Sequence, residues 1–194
     1  MATITLPPLL QTRLDALPQG LQAHIQRVRE IARELAAAHN LDQDIAELTA
    51  AAHDVARSAK PQVLLDEARR MGLPINAAEA NAPVLLHGPV GARWLSDEGA
   101  TSNATVLEGV RWHTTAHPEL SPVGQVVFLA DKLDPMKAAQ FPFQEGVRTV
   151  AFENLCGGIL AFLDGALARH IERGELIHPT AAETRNAMLI AGAC

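Results

Sequence analysis

Apolar residues recur at helical spacing along most of the chain. Within residues 21–40, apolar side chains three or four positions apart lie on one face of a helix, namely Ile25, Val28, Ile31 and Leu35. Similar spacing, together with residues typical of helix starts and ends, predicts further helices at about 42–58, 61–72, 90–96, 103–117, 121–133, 145–173 and 181–191. The segment 74–83 is expected to be irregular, and Gly157-Gly158 is a weak point of the long helix.

These elements predict an all-α fold, a single compact helical bundle of about eight or nine helices over residues 1–194. The residues suited to chemistry fall between about 21 and 150. The helices of the C-terminal part, 145–191, contain no motif. Their apolar faces could complete the core or form a homodimer interface.

Composition supports a helical globular protein. Hydrophobic residues make up 48% of the chain and aromatic residues 4%, and tyrosine is absent, whereas strands favour aromatic and β-branched residues. The net charge is −6 and no basic stripe is visible, so no nucleic-acid partner is expected. The first residues lack the pattern of a secretory signal, and no apolar stretch reaches transmembrane length. We therefore expect a cytoplasmic protein with no membrane partner.

Ionisable side chains occupy helical faces that are otherwise apolar. His24 lies on the apolar stripe of its helix, and Asp131 lies within the apolar run VVFLAD. His53 and His113 extend the apolar faces of their helices, and Asp54 directly follows His53. Burial of so many ionisable groups is unfavourable unless they are paired or bind a metal ion. The pattern therefore indicates a metal site.

Imidazoles combined with carboxylates suit Fe, Mn, Zn or Co, and a bridging carboxylate can hold two ions. Two ions roughly 3.5–4 Å apart stabilise both the attacking and the departing oxygen of a phosphoryl displacement. The chain contains neither a GxSxG string nor a Gly-rich P-loop, so acyl-enzyme chemistry and P-loop nucleotide binding are not expected.

The order His24, His53-Asp54, Asp131 resembles the H…HD…D pattern of the HD-domain superfamily. Three strings more narrowly resemble the YqeK-type HD hydrolases, namely LLHGPVGA at 85–92, RWHTTAHP at 111–118 and FLADKLDP at 128–135. The resemblance covers about residues 21–150. Proteins of that type are symmetrical bis(5′-nucleosyl)-tetraphosphatases, which split diadenosine tetraphosphate into two ADP.

The resemblance implies a role for each matching residue. The metal ligands would be His24, His53, Asp54, His87, His113 and Asp131. Asp54, His87 and His113 would be catalytic, because the two histidines complete a second metal site or contact phosphate. Arg57 and Arg111 would bind substrate phosphates. The implied cofactor is a divalent transition metal in a dinuclear iron or manganese centre.

The remaining polar residues are expected to be structural. Lys132 and Lys137 are expected to be solvated, because lysine usually keeps its charge in water. His117 precedes a proline and is expected to be structural or exposed. Three further histidines lie near predicted helix ends and are expected to cap helices or to lie at the surface, namely His39, His170 and His178.

The sequence thus predicts a metal-dependent phosphohydrolase that cleaves a phosphoanhydride with metal-activated water, acting on a small nucleotide. The resemblance implies diadenosine tetraphosphate as the substrate. Val55 replaces an aromatic residue of the related proteins, and Met136-Lys137 stand where they have an arginine two residues after the proline. Because these departures lie where nucleotide contacts are expected, a dNMP, a dNTP or a cyclic nucleotide is an alternative substrate. A non-catalytic helical binding module is a further alternative, although such a domain is expected to lose ligands and this chain keeps them.

Overall fold

The computed structural model describes residues 4–192, which contain helices and no strand. This part of the chain forms eleven α-helices: α1 (Pro8–Asp15), α2 (Gln19–Ala38), α3 (Gln43–Ala52), α4 (Pro61–Arg70), α5 (Ala77–Asn81), α6 (His87–Asp97), α7 (Ala104–Trp112), α8 (Pro122–Lys132), α9 (Gln144–Glu153), α10 (Leu155–Glu172) and α11 (Pro179–Ala191). Two 3₁₀ turns lie at Pro83–Leu86 and Pro135–Lys137. The all-α prediction is confirmed, whereas the predicted count of eight or nine helices is wrong.

Two of the additional helices, α1 and α5, lie where the sequence pattern predicts none. Helix α1 has proline in its first turn and buries Leu10 and Leu14. Helix α5 begins after Asn76, whose side chain accepts a hydrogen bond from the backbone N–H of Glu79. The Glu79 carboxylate in turn accepts from the backbone N–H of Asn76 at 2.9 Å. The segment 74–83 was expected to be irregular because prolines flank it. The capping box stabilises a short helix there.

The predicted helix over 145–173 is divided into α9 and α10. The division falls at Asn154, whose backbone is extended (φ −150°, ψ 113°) and whose side chain accepts from the backbone N–H of Gly157 at 3.1 Å. Gly158 lies inside α10, where an added Cβ would come within 2.8 Å of the Ala151 Cα. The glycine therefore lets α9 and α10 pack closely, and the break comes from the asparagine cap before it.

Four helices enclose the centre of the molecule. Helices α2 and α7 each pack against α3 and α8, and α3 also packs against α8. Side chains with no exposed surface fill the interior between them, including Leu35, Val110, Val127 and Phe128. Each such side chain contributes about 1.5–3 kcal/mol through burial. Five of the six predicted ligand residues lie on these helices or at their C-terminal ends, and His87 begins α6, which packs against α7. The packing therefore brings all six towards a common interior.

The C-terminal helices complete this core. Helix α10 packs against α8, α9 and α11, and its Phe162 meets Phe128 edge-on with ring centroids 5.5 Å apart. Ile171 and Ile190 are 67% and 86% exposed, so some apolar surface stays uncovered, and a homodimer interface stays a prediction. None of the helices in residues 4–192 combines the length and apolar character needed to cross a membrane.

Candidate metal centre

The His53-Asp54 pair directly follows the last turn of α3, and both side chains are buried. The Nδ1 atom of His53 lies 2.7 Å from the carbonyl oxygen of Ala50, one of the carbonyls that a helix end leaves without an intrahelical partner. Because a carbonyl oxygen only accepts hydrogen bonds, Nδ1 carries the proton. Nε2 therefore faces the interior as the potential metal-binding atom.

His87 and His113 are oriented in the same way. His113 follows α7 and its Nδ1 atom bonds the carbonyl oxygen of Val110 at 2.7 Å, while Nδ1 of His87 bonds the carbonyl oxygen of Val84. The Nε2 atoms of His87 and His113 are only 2.9 Å apart. In two neutral rings with protonated Nδ1 atoms these nitrogens present lone pairs to each other, which is unfavourable. A cation coordinated by both nitrogens removes that repulsion.

Gly88 allows this approach of the two histidines. Helix α6 begins at His87, three residues before the predicted start at Val90, because the first turn tolerates Pro89. A Cβ at position 88 would lie 2.7 Å from the carbonyl oxygen of Arg111. The contact between α6 and α7 therefore requires glycine at this position.

His24, on α2, contacts two aspartates. Its Nε2 atom is 3.1 Å from Oδ1 of Asp131, and its Nδ1 atom is 2.6 Å from Oδ2 of Asp134. Asp134 is buried and also accepts two hydrogen bonds from the guanidinium of Arg27, at 2.8 and 2.9 Å. A carboxylate that orients a histidine in this way is common around metal sites. The sequence interpretation missed Asp134 and Arg27, and their only signal was the position of Asp134 within the FLADKLDP string.

The carboxylate of Asp54 lies between two pairs of histidines. Its Oδ2 atom is 3.4 Å from Nε2 of His53 and 3.7 Å from Nε2 of His24. Its Oδ1 atom is 3.0 Å from Nε2 of His87 and 3.5 Å from Nε2 of His113. Each carboxylate oxygen thus faces one pair of imidazole nitrogens, an arrangement suited to a bridging ligand.

Asp131 is paired with two lysines. The Lys132 ammonium lies 2.7 Å from Oδ2 of Asp131 and donates to the carbonyl oxygen of His113 at 3.0 Å, while Lys137 contacts Oδ1. The expectation that the lysines are solvated is wrong for Lys132, which is buried, and Lys137 is only partly exposed. The Asp131 carboxylate offsets the cost of burying the Lys132 charge.

Two overlapping groups of these side chains could hold a metal ion. The first consists of His24, His53 and Asp131, and the second of His53, Asp54 and His113. Within each group the potential ligand atoms lie within 4.8 Å of one another, and His53 belongs to both. His87 adjoins the second group through Asp54 and His113. The structure thus brings all six predicted ligand residues into one buried cluster.

The charges in the cluster are strongly coupled. Burial disfavours the charged form of His53, but the carboxylates of Asp54 and Asp131 outweigh burial and raise its pKa to about 10. Burial lowers the pKa of His113 to about 3, with the hydrogen bond to Asp54 opposing it only in part. Burial also works against ionised Asp54, yet the charge of His53 and the surrounding imidazoles hold the pKa of this carboxyl well below its usual range. The two carboxylates therefore require a nearby positive charge, and a divalent cation would supply the charge that His53 carries in the metal-free protein.

A cavity of about 510 Å³ lies against the cluster, and four of the predicted ligands line it, namely Asp54, His87, His113 and Asp131. Arg57 also lines the cavity, whereas Arg111 is not among the lining residues. The guanidinium of Arg111 instead lies 4.7 Å from the ring centroid of Trp112. Thr114 lines the cavity too, with Oγ1 3.1 Å from Nε2 of His113, and the sequence interpretation did not single it out.

The histidines expected to be structural lie outside the metal cluster. His117 stacks on Trp112 with ring centroids 4.5 Å apart, and His39 bonds a backbone carbonyl oxygen of α9 at 2.8 Å. His178 caps the start of α11, as its place before the predicted helix suggested. His170 and His178 nevertheless line the cavity, on the side formed by the C-terminal helices.

Comparison with known proteins identifies the class. The model of the HD domain family matches residues 21–136, the part of the chain that contains all six predicted ligands. The chain belongs to the HD domain family.

Within that family, the chain is similar to proteins named symmetrical bis(5′-nucleosyl)-tetraphosphatase. One, from Halalkalibacterium halodurans, is 31% identical over 185 residues, which are 93% of this chain and 95% of the relative. Another, from Bacillus subtilis, is 26% identical over 163 residues, which are 84% of this chain and 86% of the relative. The resemblance inferred from the three sequence strings is confirmed.

The fold has a counterpart among solved structures. The crystal structure of a predicted HD superfamily hydrolase involved in NAD metabolism, from Clostridium acetobutylicum, matches with a TM-score of 0.88. The match covers 98% of this chain and 100% of that chain, at 22% sequence identity. At that identity the likeness shows that the two proteins share a fold.

Proposed function

We propose that this protein is a metal-dependent phosphohydrolase that cleaves diadenosine tetraphosphate symmetrically into two ADP. The observation that supports it most directly is the placement of Asp54, with one carboxylate oxygen facing each of two histidine pairs at the edge of a cavity. The names of the relatives from Halalkalibacterium halodurans and Bacillus subtilis supply the substrate.

The metal centre would be dinuclear, with iron or manganese as the ions. The ligands would be His24, His53, Asp54, His87, His113 and Asp131, a mixture of imidazole nitrogens and carboxylate oxygens that suits these metals. When bound, such ions act as Lewis acids and lower the pKa of water. The buried carboxylates and the Nδ1 hydrogen bonds of the histidines pre-orient the ligand atoms, which reduces the cost of assembling the site.

The residues at the cavity surface would act on the substrate itself. Asp54, His87 and His113 would be the catalytic groups, because they belong to the cluster and also line the cavity. In the reaction, the oxygen of water bonds to one central phosphorus of the tetraphosphate, and the bond from that phosphorus to the central bridging oxygen breaks. The bridging oxygen leaves with the second ADP, and a proton is released to solvent. Hydrogen-bond donors held in fixed positions near the central phosphates would stabilise the negative charge that develops on the phosphate oxygens during the reaction.

Arg57 would hold a substrate phosphate. It follows Asp54 by three residues, lines the cavity and has no ion pair in the described part of the chain. Its planar guanidinium is free to bind two phosphate oxygens at once. For Arg111 the case is weaker, because its side chain packs on Trp112 away from the cavity lining.

We propose that the whole chain acts as one catalytic domain. The metal cluster comes from residues 24–131, but the cavity beside it is also lined by α10 and α11. Removal of the C-terminal helices would therefore expose the core and open the substrate cavity.

The test is an assay with defined metals. The chelated protein is reconstituted with Fe(II), Mn(II) or Co(II) and given diadenosine tetraphosphate, and the products are separated by chromatography. ADP as the sole nucleotide product supports the proposal, whereas ATP with AMP would contradict symmetrical cleavage. A parallel panel of a dNMP, a dNTP and a cyclic nucleotide identifies any preferred alternative substrate. Stoichiometric metal with no hydrolysis of any nucleotide would favour the non-catalytic binding module.

A further inference from the structure

Helix α10 forms a wall of the substrate cavity although it lies outside the segment matched by the HD domain model, which ends at residue 136. The wall has an apolar part, including Phe162 and Leu163, and a cationic part near the end of the helix, with Arg169 and Arg173. The chemistry of the cavity is therefore shared between two regions. The HD segment contributes the metal cluster, and α10 contributes a further part of the lining.

The cavity is rich in cations in a chain whose net charge is −6. Of the described residues that line it, five are basic: Arg57, Lys132, Lys137, Arg169 and Arg173. Three are acidic, namely Asp54, Asp131 and Glu175, and the first two belong to the metal cluster. Once metal neutralises these two carboxylates, the cavity favours a ligand with several negative charges.

Arg169 differs from the other basic residues of the wall. Arg173 lies 4.0 Å from a carboxylate oxygen of Glu175, and His170 lies 2.8 Å from the same carboxylate. The side chain of Arg169 makes no ion pair or hydrogen bond with any residue between 4 and 192, and it is partly buried. An arginine held against a cavity without a carboxylate partner has its full hydrogen-bonding capacity available for a phosphate.

We propose that α10 forms a second phosphate subsite, in which Arg169 binds the phosphates of the half of the substrate that lies beyond the bond cleaved at the metal centre. This inference rests on the proposed function. A dinucleoside polyphosphate extends on both sides of its central bridge, so it requires cationic groups on two sides of the reacting phosphorus atoms. Arg57 comes from the HD segment and Arg169 from the C-terminal helix α10, and both line the cavity. A nucleoside monophosphate has a single phosphate, which the reaction centre would bind, so it has none left for a second subsite.

The first experiment measures binding without turnover. Two ligands are titrated into Mn(II)-supplemented protein by calorimetry: inorganic tripolyphosphate, and a diadenosine tetraphosphate analogue with methylene in place of the central bridging oxygen. Arg169→Ala should weaken both ligands by about tenfold or more, as expected for the loss of a charge-assisted contact. Arg169→Lys should recover part of the affinity. Arg148→Ala is the matched control, because Arg148 lies on α9 outside the cavity lining, and it should bind like wild type.

Two binding results would overturn the subsite. Affinities of Arg169→Ala within twofold of wild type for both ligands would show that the side chain does not contact phosphate. A loss confined to the dinucleotide analogue would place Arg169 against a nucleoside and contradict phosphate binding. The binding measurements do not require the protein to cleave diadenosine tetraphosphate, so they test the subsite even if the proposed activity is not found.

The second experiment separates the subsite from the reaction centre. With diadenosine tetraphosphate, Arg169→Ala should raise KM about tenfold and change kcat little. With bis(4-nitrophenyl) phosphate, which reaches only the reaction centre, the variant and wild type should have equal kcat/KM. An equal loss with both substrates would mean that Arg169 acts through the fold or the metal centre, and the subsite would be rejected. Absence of ADP formation by wild type would instead reject the proposed function.

Discussion

The metal cluster and the α10 wall face the same cavity, yet they differ in how much the sequence reveals of them. In the cluster, the potential ligand atoms of each metal-binding group lie within 4.8 Å of one another, and His24 and Asp131 occupy helical positions that a hydrophobic residue would normally fill. In the wall, α10 is a mainly apolar helix whose one arginine, Arg169, looks like an ordinary surface residue in the sequence. Metal binding demands a few residue types and so leaves a signal in the sequence. A cavity wall can be built from many residue types, so the role of α10 can be recognised only when its position in the fold is known.

The largest effect should come from His53, which belongs to both candidate metal groups. His53→Ala should lose most bound metal and reduce hydrolysis by more than about a hundredfold, beyond the 10–100-fold typical of residues that only orient a ligand. Metal content after dialysis and kcat/KM are the measurements. His117→Ala is the matched control, because His117 stacks on Trp112 outside the cluster. Wild-type metal content in His53→Ala would refute the assigned ligand set.

Substitution of Asp134 should have the next largest effect on metal binding. It tests whether a residue that orients a ligand without binding the metal itself contributes to metal affinity. Asp134→Asn should lower metal affinity about tenfold to a hundredfold, because His24 loses the carboxylate that orients its ring. Competition with a chromogenic chelator measures the affinity. The same change at exposed Asp164, which pairs with Arg185 in the C-terminal region, should leave the affinity unchanged. Equal affinities in all three proteins would limit Asp134 to a structural role.

Both regions depend on closely packed glycines, so packing distinguishes the metal cluster from the α10 wall less than metal binding does. Gly88→Ala tests how much the close contact between α6 and α7 beside the cluster contributes to stability. A Cβ at position 88 would lie 2.7 Å from the Arg111 carbonyl oxygen, so overpacking should destabilise the fold by about 1–3 kcal/mol. For a chain of this size each kcal/mol lowers Tm by about 2–4 °C. Gly146→Ala in α9 is the control, because its Cβ would meet nothing within 4 Å and alanine is the better helix former. A Tm for Gly88→Ala at or above that of wild type would contradict the packing argument.

The smallest effect should be a pH dependence at the contact between α5 and α11. Glu79 lies 3.3 Å from His178 and accepts from the backbone N–H of Asn76. Burial opposes its ionisation, but these partners outweigh burial and hold the pKa of Glu79 below its ordinary value of 4.5. A carboxyl with a lowered folded-state pKa stabilises the fold above the unfolded-state pKa, and this stabilisation is lost as the pH falls through the folded-state pKa.

Glu79→Gln should therefore lower Tm most above about pH 5, and the difference from wild type should shrink as the pH falls below 4.5. Because glutamine keeps an acceptor for the Asn76 N–H, only the charge is lost, and the cost should be about 0.2–1 kcal/mol, as for a weak ion pair. Thermal unfolding between pH 3 and pH 7 measures it. A Tm difference that stays constant over this range would show that the charge of Glu79 contributes nothing.

Much of the fold was predictable because the relevant information is local. Helical spacing of apolar residues predicted α2, α3, α4, α7 and α8 to within a few residues at most ends. Helices α3 and α7 end earlier than expected, because turns begin at His53 and His113. The errors came from caps whose effect depends on a few atoms. The capping box of Asn76 formed an unexpected helix, and Asn154 rather than the glycine pair divided the long one.

The sequence by itself determined the all-α character, because helical periodicity is a property of short segments. The resemblance of its H…HD…D order and its three strings to HD hydrolases implied the six candidate metal ligands. Only the tertiary structure decided which groups meet. His24 and Asp134 are 110 positions apart, and the packing of α2 against α8 is what brings them within 2.6 Å. The same holds for Arg169, whose place in the cavity follows from the packing of α10 on α8. Contacts between distant segments depend on the sum of many weak packing interactions, and no local pattern in the sequence encodes that sum.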